Sequence, residues 1–179
     1  RFIGADILYT RMADYIINSL FFPKIKESVS TVAWSESNQE NYNIIRQILD
    51  SGPNAIISTP LLQSKQSLID ELCDFDSISA LKNHWAKIKS EDAWLDFALQ
   101  NFLRGSPTSA AVIFEQLTTG KGLSLEETFK RELTMAKKFS REHDFIEGVR
   151  ALLIEKDNNP QWLPKKIEEV SKHKVSEYF

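Results

Sequence analysis

The side chains best suited to chemistry in this 179-residue chain are few and widely spaced. His84, His143 and His173 are its histidines. None stands four residues from another, and neither H-E-x-x-H nor a Cys/His cluster occurs, so the spacing offers no zinc site. Cys73 is the only cysteine. Its place beside Leu72 on an apolar helix face predicts a buried structural thiol rather than a nucleophile. Serines are plentiful, but no G-x-S-x-G elbow is present, and no G-x-G-x-x-G or Walker loop could cradle a phosphate. The acids Glu126-Glu127 and Asp144/Glu147 have the pairing that general acid/base work needs. Helix capping accounts for Glu127, Asp144 and Glu147 without catalysis and is the preferred reading. Gly148 lies inside a helical pattern, where it costs about 1 kcal/mol relative to alanine. Two explanations stand side by side for it: close approach of a neighbouring backbone, or room for a ligand.

The elements that must position these residues read as helices. Six glycines and six prolines are few for this length, and long elements follow. Ala5 to Arg11 suits two helical turns, and Ala13 to Ile17 a short strand. Phe22, Ile25, Val29, Val32 and Ala33 share a helical face, as do Tyr42, Ile45 and Leu49 before the stop at Ser51-Gly52-Pro53. Residues 54–63 read as an extended crossing, followed by helices from Ser64 to Cys73 and from Ser77 to Lys89. Ser90 to Leu103 is apolar on more than one side, which predicts a buried centre with Trp94, Phe97 and Phe102 inside. Ser106-Pro107 is an N-cap with proline at the first helical position, and Gly120 or Gly122 ends that helix. Ser124 and Glu127 form a capping box. Asp144 to Glu147 repeats the capping logic and opens a helix through Leu153. Pro160 and Pro164 then force an irregular connection to a short, charged, fraying last helix.

Composition bounds the function. Hydrophobic residues make up 42% and charged residues 26%, with a net charge of −3, so the chain can bury a core and presents no basic field for nucleic acid or anionic membrane. No apolar run approaches the roughly 18 residues of a spanning helix. One cysteine fits a reducing compartment, cytoplasm or mitochondrial matrix. The opening Arg1-Phe2-Ile3-Gly4 lacks an initiator methionine and predicts a piece of a longer protein.

An ordered set of residues then carries a resemblance. Asp144, Glu147, Gly148, Ala151, Glu155, Lys156, Pro160 and Trp162 fill the pattern of an acid, E-G, A-x-x-x-E-K and P-x-aromatic. Ser106-Pro107 and Gly122 to Glu127 precede it. This C-terminal stretch resembles the 3-hydroxyisobutyryl-CoA hydrolase branch of the crotonase (enoyl-CoA hydratase/isomerase) superfamily. The branch is indicated by the long helical connection from Asn18 to Ser106 and by V-R-A-L-L-I-E-K-D, where hydratases write A-F and E-K-R. Gly4, Asp6 and Ala13 match the family's G-x-D…A weakly. The family often has glycine where Arg11 stands, and glycine suits a left-handed helix end.

The resemblance implies a mainly α fold: the helical C-terminal region of a crotonase-type fold, with a strand-like remnant of the spiral core. It divides into 1–22 (core remnant), 23–104 (helical insert) and 105–179 (C-terminal helices). It implies an acyl-CoA thioesterase of valine breakdown, with acyl-CoA as substrate and no cofactor. The oxyanion donors and catalytic carboxylates would lie outside this chain, so no catalytic residue is assigned here. Lys156 would contact a CoA phosphate, the alternative being a solvated surface lysine. Two other readings remain open: a hydratase or isomerase of the same superfamily, and a non-catalytic relative kept as an assembly module. The apolar cluster at residues 5 to 25 predicts self-association.

Overall fold

The computed structural model describes residues 3–52 and 58–179, and its described elements are almost entirely helical. They form two units, Arg1–Glu71 and Leu72–Phe179, with the division falling inside one helix.

In the first unit, α1 (Gly4–Tyr9) ends where Met12 N–H reaches Ile7 O and Arg11 N–H reaches Leu8 O, both at 3.0 Å. This double closure requires a left-handed residue, and Arg11 supplies it at φ +57°. The turn that favours glycine is therefore kept without one. The expected strand at Ala13 to Ile17 amounts to one β-bridge residue, Ile17. A 3-10 turn, Ser19–Phe21, is capped by the Asn18 side chain and leads into α2 (Phe22–Thr31). α3 (Asn38–Asp50) packs against α2 and is capped by Ser37. Gly52 lets the chain pass Phe21: a Cβ there would stand 2.5 Å from the ring. α4 (Leu61–Cys73) begins three residues earlier than the apolar pattern indicated, so Leu61 to Gln63 are helical rather than extended. The rest of the expected crossing lies largely outside the described residues.

In the second unit, α5 (Ile78–Trp85) is capped by Ser77. Trp85 donates its indole N–H to Leu72 O at 2.7 Å and meets Phe102 edge-on at 4.8 Å. α6 (Ala93–Arg104) is capped by Asp92, whose carboxylate accepts from Trp94 and Leu95 N–H. It is not the buried centre. Leu95 and Leu99, one turn apart, face inward, while Phe97 lies on the opposite side and is 64% exposed; Trp94 and Phe102 are half-buried. An apolar surplus on two sides of a helix cannot specify which side is covered.

The middle belongs instead to α7 (Pro107–Thr119), which buries Pro107, Thr108, Ala111 and Val112. Its small side chains let neighbours approach closely. α10 (Lys172–Ser176), the 3-10 turn Ile167–Glu169 and α5 all contact it. α8 (Leu125–Phe139) opens with the expected capping box: Ser124 N–H reaches Glu127 Oε2 at 2.8 Å, and Glu127 N–H reaches Ser124 Oγ at 3.2 Å. α9 (His143–Val149) continues into a π-helical turn, Arg150–Ile154. The last helix is anchored rather than frayed, because Tyr178 just beyond it is fully buried. Cys73, at the end of α4, is exposed, which corrects the expected buried thiol: the inward position there is taken by Leu72.

Candidate functional site

The spacing of the acids around α9 predicts helix capping, and the structure gives Asp144 and Glu147 a different role. The N-cap of α9 is Glu142, which makes no side-chain cap bond. Asp144 sits one residue inside the helix and is buried. Its Oδ2 accepts from the Ser106 hydroxyl at 2.5 Å and its Oδ1 from Leu163 N–H at 2.8 Å. Ser106 also caps α7, accepting from Ser109 N–H at 3.0 Å. One carboxylate thus ties together the start of α7, the start of α9 and the loop after the π turn. His143 Nδ1 lies 3.2 Å from Asp144 Oδ1, and its ring is half exposed.

Glu147, one turn further along α9, is equally committed. Arg150 reaches it with two nitrogens, Nε to Oε2 at 2.9 Å and Nη2 to Oε1 at 2.7 Å. Gln161 N–H adds a third bond at 2.7 Å. These donors favour the anion, and the Arg150 guanidinium is the main reason the Glu147 carboxyl is pushed down to about 2. The remaining Arg150 donors hold Asp157, at 2.7 Å, and Glu155. Arg150 is correspondingly driven further towards permanent protonation, first by Glu147. The arginine gathers three carboxylates and so clasps the turn that reverses the chain after the π-helical residues. That role was not legible, because two of the three carboxylates lie beyond one helical turn.

Just after Glu147, Gly148 faces Trp162 and Ala151 is completely buried. A Cβ on Gly148 would stand 3.4 Å from the ring edge at Cη2, so the close neighbour is an indole and not a backbone. Trp162 is fixed from behind by its N–H bond to Arg104 O at 2.7 Å. Gly148, Ser106, Asp144, Phe139, Leu152 and Trp162 line an open, mostly apolar groove of about 310 Å³. Pro160 is half-buried at the start of the returning segment. Lys156 stands apart from the groove, exposed on the turn at φ +58°, and makes no ion pair among the described residues. Among the described residues no three His, Cys, Asp or Glu side chains gather as metal ligands. No described helix is long and apolar enough to cross a membrane.

The resulting arrangement is a polar clasp around an apolar groove, with both motif acids saturated by fixed donors. The sequence profile of the enoyl-CoA hydratase/isomerase family matches residues 1–179. The chain belongs to that family. It is similar to the mitochondrial 3-hydroxyisobutyryl-CoA hydrolase of Gallus gallus, 30% identical across 100% of this chain and 46% of that protein. It is also similar to the small ribosomal subunit protein mS47 of Neurospora crassa, 39% identical across 93% of this chain and 35% of that one. Among solved structures, a carnitinyl-CoA dehydratase from Mycobacterium thermoresistibile superposes with a TM-score of 0.78 at 23% identity, over 99% of this chain and 47% of that one. The fold is therefore the helical C-terminal region expected of a crotonase-type protein. The chain spans about half the length of the curated relatives it matches.

Proposed function

We propose that this chain serves as the helical C-terminal region of an acyl-CoA thioester hydrolase of the 3-hydroxyisobutyryl-CoA type. The observation that carries the reading is the likeness to the chicken hydrolase along the whole chain. In this reading the oxyanion donors and the nucleophilic or basic carboxylate come from outside these 179 residues. The two motif carboxylates inside are already engaged: Asp144 by Ser106 and Leu163, Glu147 by Arg150 and Gln161. Glu147, held well below its ordinary value first by the Arg150 guanidinium, is a poor base. The 179-residue chain alone therefore hydrolyses no acyl-CoA. A thioesterase assay with 3-hydroxyisobutyryl-CoA tests this; turnover by the chain, purified free of any longer enzyme, refutes it.

Lys156 is the residue through which this region would touch substrate. Its exposure and its unpaired ammonium suit a contact with a CoA phosphate. Lys156→Ala in a protein that includes the rest of the fold should raise KM for CoA thioesters more than for pantetheine thioesters. An unchanged ratio between the two makes Lys156 a plain surface lysine. The exposed Ile3, Met12, Leu20 and Phe22 support self-association of the isolated chain, which sedimentation measures; a monomer refutes it. A mitochondrial location is favoured over the cytoplasm by the chicken relative's name.

A second reading has its own support. The same region is shared with a ribosomal protein in Neurospora crassa, so a non-catalytic assembly role for this helical unit is the alternative. Co-sedimentation of the longer protein with mitochondrial ribosomes, without thioesterase activity, would establish that reading over the first.

A further inference from the structure

The end of the chain is docked by a ring of alternating charges. α10 has five residues, far fewer than the roughly 12 an isolated helix needs, so its order comes from what it contacts. Lys138 Nζ, from the last turn of α8, donates to Glu177 Oε2 at 2.6 Å and lies 3.0 Å from Glu142 Oε1. Lys174 Nζ donates to Glu142 Oε2 at 2.7 Å and stands 4.0 Å from Glu177. Each lysine thus meets both glutamates. All four side chains remain about a quarter to a third exposed, so salt can screen them.

Inside this ring the Tyr178 ring packs on Phe139, with centroids 4.5 Å apart, and is fully buried. Its hydroxyl has no hydrogen-bond partner among the described residues. Phe179 closes the far side, 4.1 Å beneath the Arg131 guanidinium. Ring burial favours docking, whereas a buried hydroxyl without a bond opposes it. The docked state is therefore held by opposing contributions, and screening the ions can tip it.

We infer that residues 171–179 form a strap that opens as a unit before the rest of the Leu72–Phe179 unit, under the control of the Lys138–Glu142–Lys174–Glu177 ring. Phe139, which the strap covers, is also a wall of the groove beside Gly148 and Trp162. Opening the strap frees that wall, so the groove's shape responds to ionic strength. The inference does not depend on the hydrolase reading.

Amide hydrogen exchange on the 179-residue chain tests it, comparing residues 171–179 with α7. Raising salt from about 0.1 M to about 1 M shortens the screening length from about 10 Å to about 3 Å. Exchange of 171–179 should accelerate by about tenfold while α7 changes less than about twofold. Glu142→Gln should make strap exchange fast at low salt and remove most of its salt response. Tyr178→Phe, which deletes the orphaned hydroxyl, should slow strap exchange at both salt concentrations. Strap exchange that is independent of salt, or that always moves in step with α7, overturns the inference. If Glu142→Gln speeds α7 as well, that variant has lost the whole unit and the salt series on the unaltered chain decides.

Discussion

In the Arg1–Glu71 unit a buried aspartate, Asp6, accepts backbone N–H bonds from Ile3 at 3.1 Å and from Leu62 at 2.9 Å. In the Leu72–Phe179 unit, Asp144 accepts from the Ser106 hydroxyl and from Leu163 N–H. Both carboxylates join segments far apart in sequence, yet their settings differ. Among the described residues of the first unit, Ala5 and Asp6 are the buried ones, and α2 and α3 bury none. The second unit surrounds its polar link with a core that includes Leu99, Val112, Ala151 and Tyr178. A polar staple can fasten helices whose apolar faces stay partly open. Where a packed core exists, the same staple decides how that core closes.

The comparison is broken most directly at Asp144. Asp144→Ala leaves the Ser106 hydroxyl and Leu163 N–H without their acceptor in a buried place, and should destabilise the second unit by about 3 kcal/mol. Denaturant unfolding measures it; a loss below about 1 kcal/mol would mean that the core closes without the staple.

Asp6→Asn should lower the thermal midpoint by less, since less packing depends on it. The effect should be strongly pH-dependent. The Leu62 N–H is the main reason the Asp6 carboxyl lies below its ordinary value, so its contribution is complete above about pH 4 and is lost as pH falls through the folded-state pKa. Unfolding curves of the two proteins should therefore converge in acid. Curves that stay equally far apart down to pH 2 would remove Asp6 as the titrating link.

Arg11→Gly sharpens the picture of the first unit from the other direction. Arg11 holds a left-handed conformation, and glycine there should stabilise by about 0.5–1 kcal/mol. An unchanged or lowered midpoint would show that the Arg11 side chain contributes contacts that offset the backbone strain.

Much of the local architecture could be read directly. Ser106-Pro107 and Ser124 to Glu127 open α7 and α8 as their types require, because a cap is completed within three residues. The motif residues around Gly148 were also legible as a group, and the structure places Asp144, Glu147, Gly148 and Trp162 around one groove and clasp. Their individual jobs were not legible. Asp144 looked like a cap since aspartate is common at helix starts, but its partners are 38 and 19 residues away. Phe97 and Cys73 looked interior because they are apolar, and apolar character alone does not say which face of a helix is covered.

The sequence by itself determined where α7 and α8 start, that the chain is helical, and which family its ordered motif belongs to. These depend on side chains acting on their own backbone within a turn or two. Tertiary structure alone decided that α7 rather than α6 is central, that Asp144 and Glu147 are saturated anchors, and that Tyr178 docks the chain's end. Those outcomes depend on contacts between segments tens of residues apart, whose strength arises only when folding removes both partners from water.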